Sequence, residues 1–563
     1  MFPLQVLSTA GLTLYGANAP MQRMRAALPA LLLMMLIAPA LPAASAEPLP
    51  DDATLESSGA RVGEIILRIG DIFDLDDPSE NRALFRLANR LHVNTRESTV
   101  RADLLFRSGD PYSRRLLEET ERILRQRDYL REPQVRPLRY HDGVVDIEVI
   151  THDVWTLQFG PSYSRSGGTN AFSLDFEDVN FLGRGKKIGF SFGSDVDRDV
   201  ASVTWFDPHV LGGRWQDSLS WTQASDGHLY SAALWRPFYS LDVRRSYGLE
   251  ATDSALTESR YRLGDIYDDY GHERRSYRTY VGWSTGLRRG FTRRTSAGWR
   301  FDDDRFTPSP TGATLAPLPA NRTLSYPYLQ LDLIRDDFRT ARNFDQIDRT
   351  EDLQFGLSGS AVVGWAGESW GSDREAAIME TGVSYGRELG PAQRLFLAVN
   401  GNGRLEQGEG RDLHASLSAA WYMRTSASTL LHVKATVAGG SELDLDHYYE
   451  LGGDNGLRGY PLRYQQGTGM ALLKIEQRLF TSWSLWELLD VGAAAFIDAG
   501  RTWGNNPIGA PQLGWLRDAG IGLRLGNSRS SLGKVIHIDI ATPLDGEERL
   551  ERLQLLIGTR ATF

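Results

Sequence analysis

The sequence contains no cysteine, very little lysine and no long apolar run after residue 46. The lack of Cys excludes disulfides, thiolate metal sites and cysteine nucleophiles. The lack of long apolar runs excludes membrane-spanning helices beyond residue 46. The formal net charge of -10 argues against a broad nucleic-acid surface, which needs a cationic face to neutralise phosphates. We therefore expect no nucleic-acid partner.

Lysine provides five of the 62 basic residues, and arginine provides the rest. Arginine could suit lipid phosphates or fixed internal ion pairs, although the codon usage of a GC-rich genome explains it more simply. Glycine and aromatic residues are abundant instead, with 56 Gly, 14 Trp, 21 Tyr and 22 Phe. This mixture favours many strands, many turns and aromatic belts over a helical enzyme.

The N-terminus carries the pattern of an export signal. Arg23 and Arg25 precede an apolar stretch over 26–41, and the small-x-small segment Ala44-Ser45-Ala46 follows. This pattern predicts a secretory signal peptide over 1–46, so the mature chain leaves the cytoplasm. Two internal methionines are alternative starts: Met21 and Met24.

A linker over 47–61 and a small mixed domain over 62–154 are predicted next. The predicted order of its elements is strand, helix, helix, strand, strand, which leaves one sheet edge unpaired. Ser79 is the expected cap of the first helix and Ser113 that of the second. The expected apolar face of the first helix comprises Leu84, Phe85, Ala88 and Leu91.

The region from Trp155 to Phe563 shows short alternating segments instead of helical periodicity. One face of each segment is apolar and the other carries charges, as at Leu431, Val433, Ala435 and Val437. A soluble sandwich would also alternate, but export, aromatic content and the strand-like run ending at Phe563 favour a membrane barrel. At roughly 25 residues per strand and connection, we expect a mainly β fold with a transmembrane barrel of about 16 strands over 155–563.

Five ordered fragments resemble the BamA/TamA-type outer-membrane assembly superfamily, and the resemblance covers nearly all of the mature chain. The most specific is YELGGDNGLRGYPLRYQQGTG, which contains the loop signature at 451–469. The others are FEDVNFLGRGKK, WFDPHVLGG, LLKIEQRLF and FIDAG. The domain at 62–154 resembles the periplasmic POTRA module of that superfamily. A single such module is fewer than most of its transporters and insertases carry.

The resemblance implies that a long loop folds into the barrel and that Arg458, with Gly459 and Tyr460, pairs with acids on the wall. The implied partners are Asp498 and Glu476. Periodicity supports them independently, because Glu476 and Asp498 each lie on the polar side of an alternating segment. The supporting motif residues are Gly452, Gly453, Phe496, Gly500 and Arg478. Such a loop-to-barrel lock could be purely architectural, or it could be a moving gate.

Other candidate sites are weak. Gly367 to Gly371 spells G-x-S-x-G, but no helix follows as a nucleophile elbow requires. The run Asp302-Asp303-Asp304 is expected as a solvated loop tip rather than a cation site, and no metal-ligand spacing of His is convincing. We therefore expect no enzyme activity, no cofactor and no metal.

The predicted function is the insertion or translocation of polypeptide clients across the outer membrane of a Gram-negative bacterium without ATP. The domain at 62–154 would capture an unfolded client or a secreted partner in the periplasm, and the barrel in outer-membrane lipid would pass it on. The terminal Phe563 resembles the signal read by the barrel assembly machinery, so this chain is expected to be a client of that machinery. The alternative is a non-translocating pore, surface antigen or structural envelope protein.

Overall fold

The computed structural model describes residues 49–309, 314–486, 488–506, 508–527, 529–530, 535–546 and 550–560. The predicted signal peptide and Phe563 lie outside the described residues. The described helices are α1 (Asp52–Ser57), α2 (Ala83–Leu91), α3 (Glu97–Asp103) and α4 (Arg114–Arg125), with two short 3-10 helices at Phe181–Gly183 and Glu368–Trp370. Within the described ranges, none of the helices is long and apolar enough to cross a membrane.

The N-terminal domain packs helices α1, α3 and α4 against a three-stranded sheet, whereas Phe85 of α2 packs on Ile72 and Phe73. The strands are β1 (Arg61–Gly70), β2 (Leu130–His141) and β3 (Val144–Asp153). Strand β3 is central, parallel to β1 and antiparallel to β2. Helix α1 falls inside the predicted linker, and its Leu55 is fully buried in the core of this domain.

The helix starts in this domain differ from those expected from sequence. Helix α4 follows Ser113 as predicted, although the Ser113 side chain makes no capping hydrogen bond. Ser79 does not cap α2, which begins only at Ala83. The carboxylates of Asp77 and Glu80 instead bind backbone N–H groups over 74–79, which holds that segment in turns. The expected apolar face is also wrong in part, because Leu84 and Leu91 are 60% and 64% exposed.

Further strands follow from residue 157 to residue 560. Their bounds are β4 Leu157–Ser166, β5 Thr169–Asp178, β6 Lys187–Ser194, β7 Asp199–Val210, β8 Trp215–Ala224, β9 Gly227–Arg236, β10 Arg245–Arg262, β11 Asp265–Arg288, β12 Phe291–Pro308, β13 Arg322–Arg335, β14 Phe338–Arg342, β15 Thr350–Gln354, β16 Gly356–Ala366, β17 Ala376–Gly390, β18 Gln393–Glu406, β19 Glu409–Arg424, β20 Thr429–Ser441, β21 Tyr449–Leu451, β22 Gln465–Gly467, β23 Gly469–Leu485, β24 Leu489–Trp503, β25 Leu516–Gly526, β26 Val535–Pro543 and β27 Gln554–Arg560.

Twenty of these described strands close one barrel, whereas β14–β15 and β21–β22 form two separate hairpins. The prediction of a mainly β barrel is confirmed, but the expected number of about 16 strands is wrong. The estimate assumed long connections. Several connections here are very short, such as Gly167-Gly168 between β4 and β5, so the same length holds more strands.

The barrel is apolar outside and charged inside. On β23 and β24 the outward Leu479 and Ile497 are 40% and 51% exposed, whereas the inward Glu476 and Asp498 are buried. A soluble sandwich would bury the apolar side instead. This inverted pattern is the one that a lipid-facing wall around a polar interior requires.

The wall is least continuous where its first and last strands meet. Strand β27 pairs with β26 from Gln554 to Arg560. Within the described residues, β27 pairs with β4 at a single position, where Ile557 lies opposite Arg165. We call the β27–β4 junction the seam.

The N-terminal domain contacts the end of the barrel at which β4 begins, here called the domain end; the opposite end is the far end. Asp103 of α3 is fully buried and accepts two 2.6 Å hydrogen bonds from Arg127. The same carboxylate lies 3.0 Å from Nε2 of His209 and 3.2 Å from Nη1 of Arg214, both on the barrel. Elsewhere on this end, Arg529 pairs with Glu80 of the domain. Contacts on separate parts of the rim hold the domain against the mouth of the barrel.

Replacing Asp103 with asparagine is expected to loosen the domain from the barrel, because Arg127 and Arg214 lose their buried counter-charge. Losing one partner of a buried pair costs about 3–5 kcal/mol. The measurement is protease cleavage near residue 154 in the full chain. The matched control is Asp142→Asn, in an exposed turn of the same domain. Equal cleavage of the two variants would contradict the role of Asp103.

The same contact predicts a pH dependence. Burial alone would raise the pKa of Asp103, but hydrogen bonds from His209 and Arg127 outweigh it and lower the pKa to about 2. The folded pKa lies below the ordinary value of about 3.9, so the stabilisation is complete above that value and is lost as pH falls towards 2. Cleavage near residue 154 should therefore rise in the wild-type chain only below about pH 4.

Candidate functional site

The connection between β20 and β23, residues 442–468, folds back into the barrel; we call it the inner loop. Its short strands β21 and β22 pair with each other. Leu451, Leu457 and Tyr460 are fully buried against residues of the wall, including Leu472 and Leu516. The loop is thus a packed part of the interior.

Arg458 is the centre of the charged contacts inside the barrel. Its Nε and Nη2 atoms donate hydrogen bonds of 2.7 and 3.0 Å to the two carboxylate oxygens of Asp498. Its Nη1 donates to Oε2 of Glu476 at 3.0 Å, and its guanidinium carbon lies 3.3 Å from the ring centre of Phe496. The bidentate geometry and the stacking both require a planar guanidinium, which Lys could not replace.

Further buried charges extend this network. Arg478 donates to Oε1 of Glu476 at 3.0 Å, and Arg524 pairs with both Glu476 and Asp539. Asp539 also lies 3.5 Å from Arg458. Sequence reasoning named Arg478 but missed Arg524 and Asp539, although the alternation of β25 and β26 would have placed both inside. Because the carboxylate of Glu476 is shared by three guanidiniums, the loop and the four wall strands β23 to β26 form one ionic unit.

Gly459 and Tyr460 follow Arg458 and fit tightly against β25 and the end of β26. A Cβ on Gly459 would lie 2.6 Å from Cβ of Asp518 and 2.9 Å from the backbone nitrogen of Pro543. The Tyr460 hydroxyl lies 2.8 and 2.9 Å from the carbonyl oxygens of Arg517 and Asp545. This part of the loop therefore contacts the last strands of the barrel.

The neighbouring glycines bring the loop against the first strands. A Cβ on Gly453 would lie 2.6 Å from Cα of Gly167, in the turn between β4 and β5. Gly452 packs as closely on the backbone of Pro461 and Arg463. A Cβ on Gly500 would lie 2.9 Å from Leu451 Cδ1. The inner loop thus touches the wall on both sides of the seam, at its far end.

Replacing Gly453 with alanine is expected to unseat the inner loop. The new Cβ would meet backbone atoms at 2.5 and 2.6 Å, which cannot rotate away as a side chain would. Overpacking of this kind costs about 1–3 kcal/mol. Protease sensitivity of residues 442–468 should rise, whereas Gly439→Ala, which would meet nothing within 4 Å, should leave it unchanged. A protected loop in Gly453→Ala would contradict the close fit.

A second inserted segment enters the barrel from the domain end: the β14–β15 hairpin, residues 338–354. Phe344 at its tip stacks on Tyr422 with ring centres 4.0 Å apart. Together with Ile347 it packs on apolar residues of several wall strands, namely Leu430, Phe480, Ala494 and Val535. The sequence did not predict this inserted hairpin, because a short polar hairpin has the same sequence pattern as any other pair of strands.

The hairpin links the N-terminal domain to the network around Arg458. At its base, Arg125 of α4 binds both carboxylate oxygens of Asp352 at 2.8 and 3.0 Å. At its tip, Nη1 of Arg478 donates 2.8 Å hydrogen bonds to the Phe344 carbonyl and to Asp345. Arg478 in turn binds Glu476. A continuous series of contacts therefore runs from α4 to the inner loop.

Of two other sequence features, the first has surroundings different from those expected and the second has the surroundings that were expected. Asp302, Asp303 and Asp304 are not a solvated loop tip; they lie in β12, are buried and pair with arginines of the same strand (Arg300 and Arg305) and of β13 (Arg322). The G-x-S-x-G segment joins two antiparallel strands through a 3-10 turn, which is not the strand-to-helix context of a nucleophile elbow.

No family model matches the sequence, and no curated protein matches it. Solved structures that the chain resembles include BamA from Haemophilus ducreyi lacking POTRA domains 1-3, with 13% identity, a TM-score of 0.38 and coverage of 88% of this chain and 85% of that chain. They also include CdiB from Acinetobacter baumannii (11% identity, TM-score 0.45, coverage 89% and 73%) and CdiB from Escherichia coli (12% identity, TM-score 0.43, coverage 88% and 76%). BamA is thus among the structural neighbours of this chain.

Proposed function

We propose that this chain is an outer-membrane protein that inserts or translocates polypeptide clients without ATP. The observation that carries the proposal is the seam, where β27 and β4 pair at one described position in an otherwise continuous wall. A sheet edge with few ladder hydrogen bonds is the easiest place for a wall to open and for another strand to pair. The apolar outer face supports a location in lipid, with the domain end towards the periplasm.

The N-terminal sheet offers one edge suited to capturing an extended client. Strand β2 is a poor edge, since it contains Pro133 and Pro137 and has two register irregularities. Strand β1 is covered near its start by an isolated bridge between Arg61 and Pro111. Among the described residues, no other strand pairs with the outer side of β1 beyond that bridge. An unfolded client could add there as a further strand.

The filled interior favours a gated role over a passive pore. The inner loop occupies the far end, the β14–β15 hairpin occupies the domain end, and the N-terminal domain contacts the rim below. These segments occupy both ends of the interior, so client passage through it would require them to move or the seam to open. On this proposal the network around Arg458 holds the closed arrangement, and no residue is assigned a catalytic role.

The test is quantitative proteomics of the outer membrane and the culture supernatant, with and without the gene. Loss of several barrel proteins from the membrane would support insertion of membrane proteins. Loss of one secreted protein would support dedicated export. If neither fraction changes, the transport proposal fails and a surface or structural role replaces it. High ion conductance of the purified wild-type chain without any client would favour a pore instead.

A further inference from the structure

Three side chains converge at the far end of the barrel, separate from the network around Arg458. Asp412 and His414 lie on β19, and His447 lies in the inner loop just before β21. Oδ1 of Asp412 is 3.1 Å from Nε2 of His414 and 2.8 Å from Nδ1 of His447. All three ligand atoms lie within 4.8 Å of one another. One carboxylate oxygen therefore faces two imidazole nitrogens.

This arrangement requires either protons or a metal ion between the groups. A bare imidazole nitrogen repels a carboxylate oxygen at about 3 Å, whereas an N–H of the ring or a bound metal ion makes the contact favourable. Either each imidazole carries a proton on the nitrogen that faces Asp412, or one metal ion replaces both protons. Imidazole and carboxylate are the ligands that zinc and similar transition metals take in proteins.

The groups behind the two histidines match those of a metal site. A metal-bound His normally presents its other ring nitrogen to a carboxylate or another polar group, which fixes the ring. Nδ1 of His414 lies 3.0 Å from the Tyr449 hydroxyl, and Nε2 of His447 lies 3.6 Å from Oδ2 of Asp446. The His414 ring is therefore oriented by a hydrogen bond, and the His447 ring faces a second carboxylate beyond hydrogen-bonding distance, while their other nitrogens point at Asp412.

The surrounding charges also favour a cation. Asp412, Asp444 and Asp446 are paired with two guanidiniums, those of Arg404 and Arg322. Three carboxylates against two guanidiniums leave an excess negative charge beside the imidazoles. Arg404 approaches Oδ2 of Asp412 at 3.5 Å, whereas Oδ1 faces the histidines and also accepts the backbone N–H of Asp444 at 3.3 Å.

We infer that Asp412, His414 and His447 bind one divalent transition-metal ion of the zinc class through Oδ1, Nε2 and Nδ1. Three protein ligands leave a fourth position to water. Because His447 belongs to the inner loop and the other two ligands belong to the wall, the ion would fasten the start of that loop to β19. This site is independent of the proposed transport function.

The test is metal binding to the purified full-length chain in detergent, with Zn²⁺ by calorimetry and Co²⁺ by its visible absorption. We expect one ion per chain, and we expect the His414→Gln and His447→Gln variants each to lose it. The matched control is His228→Gln, since His228 contacts a single carboxylate, Asp253, at 3.0 Å. Tyr449→Phe should bind about 10-fold more weakly, as loss of a second-shell partner does.

Each outcome decides for or against the site. Binding of one ion by the wild-type chain and by His228→Gln, but by neither of the other two His variants, supports it. Failure of the wild-type chain to bind Zn²⁺ at micromolar concentration overturns it. The contacts would then be hydrogen bonds from one N–H of each imidazole to Asp412. Binding that persists in both His414→Gln and His447→Gln also overturns it. Because the wild-type measurement needs no variant, it can refute the site even if a variant misfolds.

Discussion

Replacing Arg458 with alanine is expected to abolish or cripple activity while leaving much of the protein in the outer membrane. The substitution leaves Asp498 and Glu476 buried without their shared guanidinium, at a cost of about 3–5 kcal/mol. Most of this cost falls on the inner loop, since the ladders of β23 and β24 remain. The loop should therefore leave its seat while the barrel persists.

The measurements are client levels in the two cell fractions and protease sensitivity of residues 442–468. Asp498→Asn should resemble Arg458→Ala, and the double variant should be less than additive because both remove one contact. Arg458→Lys keeps the charge but not the bidentate geometry, so it should restore little. The control is Arg275→Ala, whose side chain is 58% exposed and pairs with Asp253. Wild-type function in Arg458→Ala would exclude the lock.

Covalent closure of the seam is expected to stop client passage in a barrel that is otherwise intact. Arg165 and Ile557 are opposite each other across β4 and β27. Such cross-strand positions are about 4.5–5.5 Å apart at Cα, which a disulfide can span. Since the chain has no native Cys, the pair Arg165→Cys and Ile557→Cys can form one defined bond.

Client levels should fall to those of the gene deletion when this pair is oxidised and should recover after reduction. The matched control pair is Ser220→Cys with Ser231→Cys, which are opposite each other across β8 and β9, within the continuous wall. Oxidation of that pair should change nothing. Full activity of the chain with a complete seam disulfide would show that clients do not pass between β4 and β27.

Several features of this chain followed from local patterns. Alternation identified a barrel with its apolar side outwards, since a strand places successive side chains on opposite faces. The same alternation put Glu476 and Asp498 on the inner face. The loop signature, through its resemblance to a known superfamily, named Arg458 as their partner, and the structure places these three side chains in contact.

Other features could not be predicted from local patterns. The number of strands depends on the lengths of the connections, which apolar alternation does not measure. The barrel therefore has 20 described strands where about 16 were expected. The run Asp302-Asp303-Asp304 was expected to be solvated, but it is buried in β12 and pairs with arginines of that strand and of β13. The β14–β15 hairpin could not be separated from the wall strands, because its distinguishing property is where its tip packs.

The sequence alone predicted a β-barrel, the apolar and the polar face of its strands, and the arginine that anchors the inner loop. These properties are local, because strand periodicity and a contiguous motif are sufficient to define them. Only the tertiary structure decided that Asp412 and His414 meet His447, that the hairpin joins α4 to Arg478, and that the wall is weakest at β27 and β4. Each of these joins residues distant in sequence, which are brought together by closure of the barrel, by insertion of the loop and the hairpin, and by docking of the N-terminal domain.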